Sequence, residues 1–235
     1  MPQIHLLSGG AAKGLVSPLQ PRFLAQTGFA VEGRFDAVGM MRDQLLAGTP
    51  CDVVILTDAL ITQLTASGHV AAGSARPLGL VKTGIAVKDG AALSPLATAA
   101  QLKQALQAAT AIYFPDPVKA TAGIHFMKVL RQLGIDAQVA DRLRPYPNGA
   151  AAMQALSQAG EPGAIGCTQV TEILFAPGVQ LVAALPKEFE LATLYTAAVC
   201  SQAAQPQAAT DLIELLASEE AAPLRSAGGF ESTTA

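Results

Sequence analysis

Tryptophan is absent from this 235-residue chain, and only 5% of its residues are aromatic. Charge is sparse as well: 14% of residues are charged and the formal net charge is -3, with no basic patch and no run of lysines or arginines. Binding nucleic acid takes clustered cations to neutralise phosphates, so no nucleic-acid partner is expected. No apolar stretch reaches the ~20 residues of a membrane-spanning helix, so no membrane insertion is expected. Met1-Pro2-Gln3 runs straight into Ile4-His5-Leu6-Leu7 with no basic segment and no cleavage site. The chain as written is therefore expected in the cytoplasm, and in the periplasm if a leader has been removed. Cys51, Cys167 and Cys200 are odd in number, far apart, set in apolar surroundings and free of any CxxC spacing. They read as three buried thiols rather than as a disulfide or a metal site. His5, His69 and His125 are scattered, without metal-ligand spacing, and no P-loop, G-x-G-x-x-G or Ser/His/Asp set is present, so no cofactor and no metal are expected.

What is present is a globular composition with 51% hydrophobic residues, enough chain for one large domain or two small ones. Short apolar runs alternate with helical patterns. Ile4–Leu7, Phe29–Phe35 and Cys51–Leu56 read as strands. Leu15–Thr27, Val38–Ala47 and Ala59–Ser67 read as helices, closed by Gly28, Gly48 and Gly68. Ser8–Gly14 reads as a loop. This βαβαβα order predicts an α/β fold with mostly parallel sheets and helices on both faces. A second series follows, with strands at Ala111–Phe114, Leu143–Tyr146, Ala164–Cys167 and Val179–Ala183. Its helices fall at Thr98–Ala108, Gly123–Leu133 and Ala150–Ala159. Pro206–Ala217 and Glu219–Ser226 read as terminal helices. Long extended crossings at Leu78–Val87 and Leu194–Cys200 divide the chain into two lobes, residues 1–82 with 197–235 and residues 83–196, joined by a two-strand hinge.

Several stretches carry a resemblance. Phe23–Gly28 looks like a helix end before a second strand, and Gly39–Gly48 followed by Thr49-Pro50-Cys51-Asp52-Val53 forms a "helix, Gly-x-Pro-x-Asp-Val" segment. Asp116–Gly123 forms an Asp-Pro loop and helix start, Pro206–Leu216 with Ser218–Ala221 a terminal helix pair, and Gly229-Phe230 an end. In this order they resemble the molybdate-binding proteins of the type II periplasmic-binding-protein superfamily. The resemblance implies a two-lobed substrate-binding protein of the ABC-transporter kind, clamping a small anion between its lobes, with a permease as partner if the chain is exported. It also implies serine hydroxyls where this chain has Ala11, Ala37 and Val38, and a tyrosine where it has Cys167. With those donors missing, molybdate is not the expected ligand, and Lys13, Arg34 and Gln169 point to an organic carboxylate.

The physical case rests on helix starts, whose unpaired N–H groups and partial positive charge suit an anion. Four glycine-bearing turns qualify: Ser8–Gly14, Asp36–Gly39, Ala120–Gly123 and Asn148–Ala150. Candidate ligand contacts are therefore Ser8, Gly9, Gly10, Ala11, Lys13, Arg34, Ala37, Val38, Ala120, Thr121, Ala122, Asn148, Gly149, Thr168 and Gln169. Each has a plain competitor. The turns can be ordinary caps, Lys13 a solvated lysine, and Arg34 the partner of Asp36 or Asp58. Thr121 reads as a cap, Lys119 as surface, and His125 as a helix residue that does not face ligand. A binding protein is the first functional reading. The alternative is a cytoplasmic isomerase of unsaturated polycarboxylates such as aconitate, whose intermediate a cationic cleft would stabilise.

Overall fold

The computed structural model describes residues 1–92 and 95–233. Leu93, Ser94, Thr234 and Ala235, which the expected lobes include, lie outside the described residues. The chain forms two compact units, Met1–Val81 with the segment from Thr193 onward, and Lys82–Ala192. The segment that returns to the first unit pairs there from Tyr195, opposite Thr57.

In the first unit, β1 (Gln3–Gly9), β2 (Ala30–Asp36) and β3 (Val53–Thr57) are parallel, and β9 (Ala192–Val199) runs antiparallel to β3. The spatial order is β2-β1-β3-β9. β3 reads VVILT with its first four residues buried, the continuous apolar run expected of a strand covered on both faces. The covering helices are α1 (Lys13–Thr27), α2 (Val38–Leu46), α3 (Asp58–Ala66), α8 (Pro206–Ala217) and α9 (Ala222–Ala227). α8 returns to pack on α1. Gly28 ends α1 at φ 76°, a left-handed conformation that costs glycine nothing. Asp52 is buried and accepts the backbone N–H groups of His5 at 2.7 Å and Gln205 at 2.8 Å.

In the second unit, β5 (Ile112–Pro115), β6 (Leu143–Tyr146) and β7 (Ile165–Gln169) are parallel. β4 (Arg76–Lys88), which enters from the first unit, pairs antiparallel with β7 and with β8 (Val179–Ala184). The helices are α4 (Ala99–Ala108), α5 (Thr121–Gln132), α6 (Gly149–Ser157) and α7 (Val170–Phe175). Phe114, Phe126, Leu102 and Leu130 centre one core between sheet and helices, and Met153, Leu156 and Ile173 another.

Two expectations are corrected. Ser8–Gly14 is not a loop: β1 runs on to Gly9, a 3-10 turn follows at Gly10–Ala12, and α1 starts at Lys13. The small residues that suggested a loop are instead packed, with Ala11 and Ala12 buried. Glu219–Ser226 is not one helix but a 3-10 turn at Glu219–Ala221 followed by α9, which has a proline in its first turn.

Candidate functional site

Parallel register sets the carboxyl ends of the first unit's strands side by side. Gly9 lies opposite Asp36, and Ser8 is flanked by Phe35 and Ile55. The starts of α1, α2 and α3 therefore share one edge of the sheet, the usual ligand position in open α/β sheets. Gly9 has no room for a side chain: a Cβ there would stand 2.7 Å from Val38 Cγ1 and 3.0 Å from Tyr195 Cε1. No side chain caps α1, and no acidic residue stands in its first turn. Lys13 is the first residue of α1, half-buried, with Nζ 6.0 Å from the Phe35 ring centroid, within cation–π range. The corner thus combines backbone donors with a cation.

The other residues expected here behave differently. Ser8 is fully buried and its hydroxyl donates to Gly9 O at 2.9 Å, so the chain already uses that donor. Ala37 and Val38 are buried, and the Ala37 N–H donates to Asp36 Oδ1 at 2.7 Å, which places a carboxylate at the start of α2. Arg34 does not end its strand; it stands two residues earlier. Successive strand residues point to opposite faces. Because Lys13 lies over Phe35, the neighbouring Arg34 side chain leaves by the other face, exposed. It has no ion pair with Asp36 or Asp58 among the described residues. Asp58 instead accepts from Thr196 Oγ1 at 2.9 Å.

In the second unit, β5, β6 and β7 also end together, with Pro115 opposite Tyr146. α5 begins without a side-chain cap and without an acidic residue in its first turn. The cap position is Ala120, not Thr121, which is the helix's first residue. Asp116 holds the preceding loop by accepting from Val118 N at 2.7 Å and Lys119 N at 2.8 Å. Gly123 packs on the carbonyls of Pro115 and Asp116, where no Cβ would fit.

α6 begins differently. Asn148 caps it by accepting from Ala151 N at 2.9 Å, and Gly149 packs against the Glu172 carboxylate and the Thr168 hydroxyl. Thr168 donates to Glu172 Oε2 at 2.5 Å. The start of α6 thus faces a carboxylate of its own chain, whereas α1 and α5 have no side-chain cap and no acidic residue in their first turns. Gln169 is buried and pairs in the sheet with Thr83. Thr83 and Thr171 are buried with hydroxyl oxygens that lack a partner among the described residues. Cys167 is fully buried on the opposite strand face from Thr168, packed with Ile85, Phe114 and Phe126, and burial pushes its thiol up.

Tyr195, Thr83 and Thr171 were not singled out from sequence. No local signal marks them, because each acquires its neighbours through strand pairing or a helix contact. The histidines are structural: His125 Nε2 donates to Phe189 O at 2.7 Å, His69 bonds to Ser67, and His5 faces Glu32. No group of three metal-capable side chains exists among the described residues, and no described helix is long and apolar enough to cross a membrane. Two cavities lie elsewhere, about 330 Å³ between Pro95, Gln104 and Gly163 and about 270 Å³ between Gly73, Arg76 and Glu214; none of the expected contacts lines them.

The two α/β units, their mixed and mostly parallel sheets and the helix starts at the strand ends define a type II periplasmic-binding-protein fold of the molybdate-binding kind. The chain belongs to the bacterial extracellular solute-binding proteins, matching that family over residues 4–231. Among curated proteins it is 28% identical over 225 residues to an aconitate isomerase of a Pseudomonas species, covering 93% of this chain and 84% of that one. Among solved structures it is similar to the periplasmic molybdate-binding protein of Azotobacter vinelandii, with TM-score 0.80, 18% identity and 97% and 98% of the two chains covered. It is also similar to the sulfate-binding protein SubI of Mycobacterium tuberculosis H37Rv, with TM-score 0.75, 18% identity and 100% and 88% covered.

Proposed function

We propose that the chain is a solute-binding protein whose ligand is a small organic carboxylate, received in the first unit by the α1 start with Lys13. The observation that carries this reading is the chemistry of the first corner. Ala11, Ala37 and Val38 are buried and supply no hydroxyl, while Lys13 stands at an uncapped helix start. A tetrahedral oxyanion needs donors all around it. A carboxylate is satisfied by two backbone N–H groups and one cation. If the protein is exported, a permease would accept the ligand from it.

A second reading has its own support. The relative named aconitate isomerase aligns along nearly the whole chain, and Glu172 is a buried carboxyl that accepts from the Thr168 hydroxyl. An isomerase of unsaturated polycarboxylates would use such a group to move a proton. Both readings share a ligand class. A thermal-shift screen of inorganic oxyanions against di- and tricarboxylates tests the class, since a ligand at one hundred times its Kd stabilises by roughly 2.7 kcal/mol. NMR of each stabilising compound after incubation separates the readings: unchanged compound supports binding alone, and a cis–trans mixture supports catalysis. Stabilisation by molybdate or sulfate but by no carboxylate would overturn the proposal.

A further inference from the structure

Cys51 and Cys200, remote in sequence, meet at one end of the β3–β9 pairing. The antiparallel ladder sets Val53 opposite Val199. One step further out, the Cys200 N–H donates to Asp52 O at 2.9 Å, so Cys200 lies opposite Asp52, the neighbour of Cys51. Both side chains are buried, Cys51 at 8% exposure and Cys200 at 3%. The two thiols share a hydrogen bond, and Cys51 Sγ also donates to Val53 O at 3.0 Å. The thiol–thiol bond first, then burial, then the nearby Cys51 and Asp52 hold the Cys200 thiol far above the ordinary range.

We propose that Cys51 and Cys200 are a disulfide-forming pair that, when oxidised, ties the entry of β3 to the exit of β9. The oxidant is a small disulfide such as oxidised glutathione. A cysteine thiolate attacks it, the glutathione S–S bond breaks, and one glutathione leaves. The second cysteine thiolate then attacks the protein sulfur of the mixed disulfide and expels the second glutathione. Two protein thiols are oxidised, one glutathione disulfide is reduced to two thiols, and the two cysteine protons end on the departing sulfurs. Cys51, the more exposed of the two, takes the first step. Because both thiols are buried in the folded unit, exchange is slow there, and the link closes during folding. Cys167 belongs to the other unit and packs among carbon side chains, which makes it an internal control.

The test is to refold the full chain from denaturant in a glutathione redox buffer, quench, and count free thiols under denaturing conditions. The expected result is one free thiol, a mass two hydrogens lower, and a non-reduced digest joining the Cys51 and Cys200 peptides. Cys167→Ser should leave no free thiol, while Cys51→Ser and Cys200→Ser should each leave two. The linked protein should melt at least about 5 °C above the reduced one, because the bond closes a loop of roughly 150 residues in the unfolded chain. Three free thiols in the refolded wild-type protein, or a link that includes Cys167, would overturn the proposal.

Discussion

Asp52 and Gln205 are joined directly: the carboxylate at the entry of β3 accepts the backbone N–H at the start of α8 at 2.8 Å. The other carboxylate oxygen accepts from His5 N at 2.7 Å, so a single buried side chain binds β1, β3 and the returning C-terminal segment. Hydrogen bonds to a charged acceptor contribute about 1.5–3 kcal/mol each, and removing the acceptor leaves two backbone donors buried. Asp52→Ala should therefore cost about 3 kcal/mol or more in urea unfolding. Asp52→Asn, which keeps one acceptor, should cost about half as much.

Gly149 and Gly160 make a matched pair of tests. A Cβ at Gly149 would collide with the Glu172 carboxylate and the Thr168 hydroxyl, whereas one at Gly160 meets nothing within 4 Å. Gly149→Ala should destabilise by about 2 kcal/mol or more, the scale of overpacking a filled interior. Gly160→Ala should stay within about 0.5 kcal/mol of wild type. Denaturant midpoints of the two variants check this directly.

Lys13 and Arg34 should part company in binding. The sequence ranks Arg34 above Lys13 because a guanidinium can make paired bonds to a carboxylate. The structure reverses the order, since Arg34 leaves β2 on the face away from Phe35 and Lys13. Lys13→Ala is expected to weaken binding of the best carboxylate from the screen roughly tenfold or more, and Arg34→Ala less than about twofold. Calorimetric titration of both variants decides the matter.

The Arg22–Glu220 pair sets a pH-dependent difference. Arg22 donates to Glu220 at 2.5 Å between α1 and the turn after α8, and this hydrogen bond lowers the Glu220 carboxyl below its ordinary value. A depressed carboxyl stabilises the fold above its unfolded pKa and loses that contribution as pH falls through the folded value. Both groups are exposed, so the contribution is small and salt-sensitive. The gap in melting temperature between wild type and Glu220→Gln should shrink toward zero from about pH 6 to about pH 3.

Glycine and hydrophobic period made the elements legible. Gly28, Gly48, Gly68 and Gly134, expected to close helices, all adopt φ between 67° and 83° at helix ends. β6 and α8 fall where their residue patterns placed them, at Leu143–Tyr146 and Pro206–Ala217. These signals are local: a left-handed residue stops a helix, and an apolar period of two or near four names an element within a few residues. The α/β class followed, because alternation of such elements leaves few ways to bury their apolar faces.

What the sequence by itself determined was therefore the order of elements, the class of fold and the candidate anion-binding turns. Tertiary structure alone set the Glu172 carboxylate against Gly149 at the start of α6. It also brought Tyr195 to Gly9 and Cys200 to Cys51. The reason is common to all of these. Each contact joins residues whose separation along the chain carries no period, and only the lateral order of strands, settled when the whole sheet closes its core, determines which of them meet.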